Sequence, residues 1–155
     1  MEDEININIP IPVDDDGYVL LKCERCGNLF KAIPDDIQSD NVLFVYCPSC
    51  GLTSDNYITD DVLELAQIII KNRANIIIQD SLKDLEQSNS QWHGIFEFKV
   101  VNDPELENEY PIRSSVEAME IVQFPCCNRT AKIKPLLKMT GCYCPFCGVK
   151  NYEFE

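Results

Sequence analysis

Cysteines are the side chains in this 155-residue sequence with the greatest capacity for chemistry, and there are nine of them. Cys23 pairs with Cys26 and Cys47 with Cys50, with two residues between the partners of each pair and a glycine directly after it. Twenty residues separate Cys26 from Cys47, a spacing close to that of a structural four-cysteine zinc site. Four thiolates fill a tetrahedron and leave no position for a substrate, so the predicted site is structural.

A second and less regular cysteine set repeats part of the first. Residues 46–51 read YCPSCG, and residues 143–148 read YCPFCG. Aligning Cys26 with Cys126 puts Gln123 at the position of Cys23, so one expected ligand is missing. The ligands predicted for this second set are Cys126, Cys127, Cys144 and Cys147. Cys142 is an alternative to Cys126 or Cys127.

Other interpretations of the cysteines stay open. The first set could be reduced core thiols or a redox pair, and the second could be a degenerate site that lost its metal and kept its shape through packing. Catalysis is less favoured, because the usual basic partner of a nucleophilic cysteine is a histidine, and His93 is far away in sequence.

These motifs resemble the zinc ribbons of transcription-factor type. The shared pattern is a strand, Cys-x-x-Cys-Gly, a gap of about 20 residues, a strand and Cys-Pro-x-Cys-Gly; it fits residues 18–52 well and residues 119–148 in part. The resemblance implies small antiparallel sheets that hold zinc between two turns. Such ribbons occur in transcription machinery and in bacterial proteins of unassigned role, so the motif indicates fold and metal more firmly than function.

The remaining pattern predicts an α+β fold in which two small antiparallel zinc-ribbon sheets are joined by a long amphipathic helix. Within 60–88, apolar side chains recur at three- and four-residue steps, and this helix packs between the ribbons or also pairs with a second copy or a partner. The five predicted segments are an extended acidic arm (1–17), the first ribbon (18–59), the connecting helix (60–90), a strand at 95–101 with an acidic loop (91–118), and the second, irregular ribbon (119–155).

Charge is distributed unevenly along the chain. The net charge is −13, which argues against general binding to DNA or to anionic membranes. Residues 1–16 carry six acidic groups and no basic one, whereas residues 119–155 carry five basic groups against three acidic ones. The candidate phosphate contacts in that basic stretch are Arg129, Lys132, Lys134 and Lys138. The alternative, which we favour, is a solvated strand face that neutralises the acidic remainder.

The sequence contains no phosphate-binding loop, no dinucleotide fingerprint and no pattern of an open metal site, so we do not expect an enzyme. The acidic residues 1–4 are unlike a signal peptide, and no apolar run approaches the ~18 residues of a membrane helix, so we expect a cytoplasmic protein. The favoured function is a non-enzymatic zinc-binding adaptor whose partner is a protein with a basic surface, or a second copy. The alternatives are a nucleic-acid or transcription-associated factor that uses the basic ribbon, and an acidic inhibitor or immunity-type protein for a basic nuclease.

Overall fold

The computed structural model describes residues 6–89, 103–112 and 118–154. The elements in chain order are β1 (Val19–Lys22), β2 (Leu29–Ala32), α1 (Pro34–Ile37), α2 (Asp60–Asn89), β3 (Glu120–Phe124), β4 (Arg129–Ile133), α3 (Pro135–Thr140), β5 (Cys142–Tyr143) and β6 (Lys150–Asn151). The α+β class is confirmed, and the long helix lies in the chain between the strands of the two ribbons. The predicted strand at 95–101, His93 and most of the segment 91–118 lie outside the described residues.

We expected one sheet for each ribbon, but the larger sheet contains strands from both ribbons. β1 pairs with β2 and β3 pairs with β4, and these two hairpins then join through β2 and β4 into one antiparallel sheet of order β1-β2-β4-β3. The second half of each ribbon forms a smaller hairpin. One is the two-stranded sheet β5-β6, and the other is a single bridge between Tyr46 and Thr53.

The core of this sheet comes from alternation along the strands. In β3 and β4, every second side chain points to the same face, and Val122, Phe124, Ala131 and Ile133 on that face are fully buried. Ala32 of β2 joins the same cluster, as do Cys142, Cys144 and Phe146 of the second ribbon. A side chain of the first ribbon therefore lies in a core that is formed mainly by the second.

The chain divides into two compact units, and both ribbons belong to the same one. That unit contains Pro10–Asp60 and Ile112–Glu155, and the other contains Asp61–Pro111 with the first residues of the chain. Helix α2 agrees closely with the helix predicted over 60–88. Several of its apolar side chains are exposed: Leu63, Ile70, Ile77, Ile78 and Leu85. Among the residues described, no helix combines the length and the apolar character needed to cross a membrane.

The acidic arm reaches the sheet at its end. Pro10 and Pro12 have no N–H to donate, and along the arm the only pairing among the described residues is one antiparallel bridge between Val13 and Val19. The chain then turns at Asp14, whose Oδ1 accepts hydrogen bonds from the backbone N–H groups of Asp16 and Tyr18. This turn places the Asp14 carboxylate against the sheet, within ion-pair distance of one lysine from β2 and one from β4.

Candidate metal centres

Two tight turns position the first cysteine set. The backbone N–H of Gly27 donates to the oxygen of Cys23 at 2.8 Å, and that of Gly51 donates to the oxygen of Cys47 at 2.9 Å. Both glycines have a φ of 72°, in the left-handed region that is costly for most other residues. Each turn brings the two sulfurs of its pair to the same side, as the spacing predicts.

The four sulfurs of this set are close enough to bind one ion. The Sγ atoms of Cys23 and Cys50 are 3.8 Å apart, and those of Cys26 and Cys47 are 3.6 Å apart. All four lie within 4.8 Å of one another. Metal–sulfur bonds of about 2.3 Å in a tetrahedron separate the sulfurs by about 3.8 Å, so the set fits a single four-coordinate ion.

The second set has the same arrangement. Cys127 and Cys144 bring their Sγ atoms to 3.3 Å, and Cys126 and Cys147 bring theirs to 3.3 Å. These four sulfurs also lie within 4.8 Å of one another, so this set too could hold a metal ion. Cys142 lies outside the quartet. It is fully buried in the shared core, where burial raises the pKa of its thiol to about 12.

The hairpin register shows how the irregular turn works. Lys22 pairs with Leu29 in the first hairpin, and Gln123 pairs with Thr130 in the second, with six residues between the partners in each case. In each six-residue stretch the N–H of the fifth residue donates to the oxygen of the first, Gly27 to Cys23 and Asn128 to Phe124. The equivalent of Cys23 is therefore Phe124, and the equivalent of Cys26 is Cys127. This corrects the sequence alignment of Cys26 with Cys126 by one residue. Cys126 has no counterpart among the first four ligands, yet its sulfur takes the place that the sulfur of Cys23 has in the first set.

Asn128 replaces the glycine in this turn. Its backbone N–H donates to the oxygen of Phe124 at 2.8 Å, as Gly27 does to Cys23. Its φ is 59°, which makes it the one non-glycine residue with positive φ in the part of the chain that the structure describes. Asn tolerates this region better than most side chains do, and Gln123 fixes it with a 2.6 Å hydrogen bond to its Oδ1. The sequence carried this signal as an Asn directly after the cysteine pair, but the alignment with Cys126 hid it.

The pKa shifts within the first quartet favour a bound cation. Burial raises the pKa of the fully buried Cys47 well above its ordinary value, and burial also raises the pKa of Cys50. Burial also opposes ionisation of Cys26, but the backbone N–H of Asn28 and the neighbouring thiols outweigh it and lower the pKa of Cys26 to about 7. The first quartet therefore accommodates a thiolate readily at Cys26 and resists one at Cys47 and at Cys50. A divalent ion at the centre would supply the charge that lets all four ionise.

The second quartet repeats this pattern. Burial raises the pKa values of Cys144 and Cys147. For Cys126, burial acts in the same direction but is outweighed by hydrogen bonds from Asn151 and Cys147, so its pKa is lowered. In each quartet the cysteine whose pKa is lowered, Cys26 or Cys126, has a side-chain amide within hydrogen-bond distance of its sulfur. Asn28 Nδ2 lies 3.6 Å from Cys26 Sγ, and Asn151 Nδ2 lies 3.4 Å from Cys126 Sγ. Sequence reasoning missed both amides.

The candidate phosphate contacts are largely engaged with the protein's own carboxylates. Arg129 lies 3.5 Å from Asp36 and stacks its guanidinium over the ring of Phe146, and Lys138 lies 3.3 Å from Glu120. Lys132 binds both Asp14 and Asp16. Lys134 caps the start of α3 through its backbone position. Their contact with phosphate stays a prediction.

Asp14 is the centre of the least exposed ion cluster among the described residues. Lys31 and Lys132 are direct partners in the β2–β4 pairing, and two like charges side by side are unfavourable. Asp14 Oδ2 lies 3.0 Å from Lys31 Nζ and 2.8 Å from Lys132 Nζ, and each of the three side chains is at most 12% exposed. Although burial opposes ionisation, these lysines and the N–H of Tyr18 hold the pKa of Asp14 far below its ordinary value.

Comparisons with protein-family models, with curated proteins and with solved structures each gave no match. Any function assigned to this chain therefore depends on the geometry of the two quartets and of the hairpins that carry them.

Proposed function

We propose that this protein is a non-enzymatic zinc-binding adaptor that acts through protein–protein contacts. The observation that carries the proposal is that both quartets are complete sets of four sulfurs. A catalytic zinc keeps one position open for water or substrate, whereas four cysteines close the ion off. Metal in these sites would hold the ribbons in shape and take no part in a reaction.

The chemistry of the ligands favours zinc. Four thiolates in a tetrahedron select zinc or iron among the common metals. Sulfurs within 4.8 Å of one another leave room for one ion and not for a cluster. None of the nine cysteines forms a disulfide, which fits the reducing cytoplasm in which we place the protein.

Helix α2 supports the protein–protein part of the proposal. Leu63, Ile70 and Ile77 are seven residues apart and therefore lie along one side of the helix, and they are 41%, 54% and 49% exposed. Contiguous exposed apolar surface typically marks a site of protein contact. With a net charge of −13, the partner we propose is a protein whose surface combines apolar and basic side chains.

The metal part of the proposal is tested by elemental analysis of the purified protein. We expect two zinc atoms per chain, and one or none after Cys126→Ser. Cys142→Ala is the matched control, because Cys142 is a cysteine of the same ribbon that lies outside the quartet, and it should keep two. Iron in place of zinc, or a loss of metal in Cys142→Ala but not in Cys126→Ser, would contradict the assignment.

The partner is tested by cross-linking in native extract, with sedimentation of the purified protein alongside. The double variant Ile70→Asp and Ile77→Asp should lose the cross-linked complex and keep its zinc. The control places the same two charges on exposed polar positions of the same helix, Gln67→Asp and Asn75→Asp, and should keep the complex. A complex that survives the isoleucine variant, or retention of bare nucleic acid at low salt by the wild type, would count against the adaptor proposal. A dimer of the purified chain that the isoleucine variant abolishes would identify the partner as a second copy.

A further inference from the structure

The Cys-Pro-x-Cys turns of the two quartets, residues 47–50 and 144–147, are joined by backbone hydrogen bonds. The backbone N–H of Tyr46 donates to the oxygen of Pro145 at 2.8 Å, and that of Tyr143 donates to the oxygen of Pro48 at 2.9 Å. These two bonds are related by the repeat, since Tyr46 corresponds to Tyr143 and Pro48 to Pro145. Each donor directly precedes a metal-ligand cysteine, and each acceptor directly follows one. The backbone that shapes one quartet therefore continues into the backbone that shapes the other.

The aromatic rings of the same two residues strengthen the connection. A Cβ at Gly51 would lie 2.8 Å from ring carbons of Tyr143, and a Cβ at Gly148 would lie 2.9 Å from ring carbons of Tyr46. Such distances are too short for a real side chain, so each ring packs on a position that only glycine can occupy. These glycines end the Cys-Pro-x-Cys turns, so each turn packs against an aromatic ring from the other ribbon.

The sheet and the core join the ribbons a second time. β2 of the first ribbon pairs with β4 of the second at Lys31 with Lys132 and at Ala32 with Ala131. Ala32 is fully buried in the cluster that also contains Cys144, a ligand of the second quartet. Loss of order in one ribbon would therefore remove both strand pairing and core contacts from the other.

We infer that the two metal sites are thermodynamically coupled, so that zinc binds with positive cooperativity and fewer chains carry a single ion than independent sites would give. This inference rests on the proposed zinc binding. A zinc ion fixes the Cys-Pro-x-Cys turn that carries half of its ligands, and the fixed turn supplies two backbone bonds and a ring contact to the other turn. The second ion then binds to four sulfurs that are already in place, so the ordering cost is lower.

The distribution of bound zinc tests the coupling. The wild-type protein is equilibrated with buffered zinc until half of the sites are filled, and native mass spectrometry then counts the chains that carry zero, one or two ions. Two equal and independent sites would leave about half of the chains with one ion, and unequal independent sites would leave more. A tenfold coupling, within the usual range, lowers that share to about a quarter. We expect a share of a quarter or less.

A variant of the contacts shows whether they carry the coupling. Tyr46→Ala combined with Tyr143→Ala removes both rings but no ligand, and it should return the one-ion share toward about half, as expected for independent equal sites. The matched control is Tyr110→Ala, an exposed tyrosine of the other unit, which should keep the wild-type distribution. A one-ion share of half or more in the wild type overturns the coupling while two ions still bind. A wild type that takes up no zinc overturns the proposed function itself. A double variant with the wild-type distribution would refute the role of these rings.

Discussion

Asp14 supplies a negative charge between the two strands β2 and β4, where two lysines lie side by side. Its carboxylate neutralises two nearly buried lysines, Lys31 and Lys132, and removal of one member of a buried ion pair costs about 3–5 kcal/mol. We therefore expect Asp14→Asn to lower the free energy of unfolding by that amount, measured by denaturant titration of the zinc-loaded protein. Asp15→Asn is the control, since Asp15 adjoins Asp14 and is exposed, and it should change stability by less than about 0.5 kcal/mol.

The pH dependence of that cost follows from the direction of the shifts. The lowered pKa of Asp14 means that its contribution is present above its ordinary value of 3.8 and is lost as the pH falls below it. Lys132 has a raised pKa: burial opposes its charge, but hydrogen bonds to Asp14 and Asp16 outweigh that effect. Its contribution is present below 10.5 and is lost above it. The cost of Asp14→Asn should therefore be constant between pH 6 and 9. A cost that changes steadily across this window would show that other groups neutralise the lysines.

Gly27 in the β1–β2 turn and Asn128 in the β3–β4 turn both have positive φ. Substitutions at these two positions therefore measure the cost of a side chain in the left-handed region. A Cβ in the left-handed region costs about 1–2 kcal/mol unless the side chain is Asn, Asp or Gly. Asn128→Ala should therefore destabilise the protein by about that amount, and Asn128→Gly by less. Gly27 has open space around its missing Cβ, so Gly27→Ala should show the strain alone and Gly27→Asn should be tolerated. Thermal unfolding of the four variants measures this, and equal effects of Ala and Asn at position 27 would contradict it.

At the scale of the elements, Asn72 joins the segment 103–112 to α2 through two hydrogen bonds. Asn72 is buried on the helix; its Nδ2 donates to the oxygen of Glu107 at 2.8 Å, and its Oδ1 accepts from the N–H of Glu107 at 2.8 Å. We expect Asn72→Ala to release this segment, at a cost of about 1–3 kcal/mol for the unmade bonds. Limited proteolysis should then cut within 103–112 much faster. Asn75→Ala, three residues along the same helix but exposed, should leave the cleavage rate unchanged. Equal cleavage of the two variants would show that the amide does not hold the segment.

The elements themselves were accessible from the sequence, and their association was not. Helix α2 follows from local periodicity, and three of the four candidate ligand pairs follow from a spacing of two residues. The β2–β4 pairing has no such signal, because it places Lys31 beside Lys132 and requires Asp14, which is 118 residues from Lys132 in the chain. The one-residue shift at Cys126 was likewise hidden, since only the hairpin register shows that Phe124 replaces Cys23.

At the scale of the whole molecule, metal is expected to decide whether the ribbon unit folds. The buried core of that unit includes Cys23, Cys47, Cys142 and Cys144, so much of its packing surrounds sulfur. A structural zinc site contributes about 10–16 kcal/mol in small zinc domains, whereas a whole domain is stable by only about 5–15 kcal/mol. Removal of metal would therefore take away a free energy comparable with the whole stability of the fold.

A strong zinc chelator at neutral pH should thus unfold both ribbons together. The measurement is amide hydrogen exchange, in which β1–β4 should lose their protection in a single step. Zinc should restore that protection, and magnesium should not, because magnesium prefers oxygen ligands to thiolates. Strands that stay protected in the chelated protein would show that core packing alone holds the ribbons. Protection lost from one hairpin only would show that the shared sheet does not bind the ribbons into one folding unit.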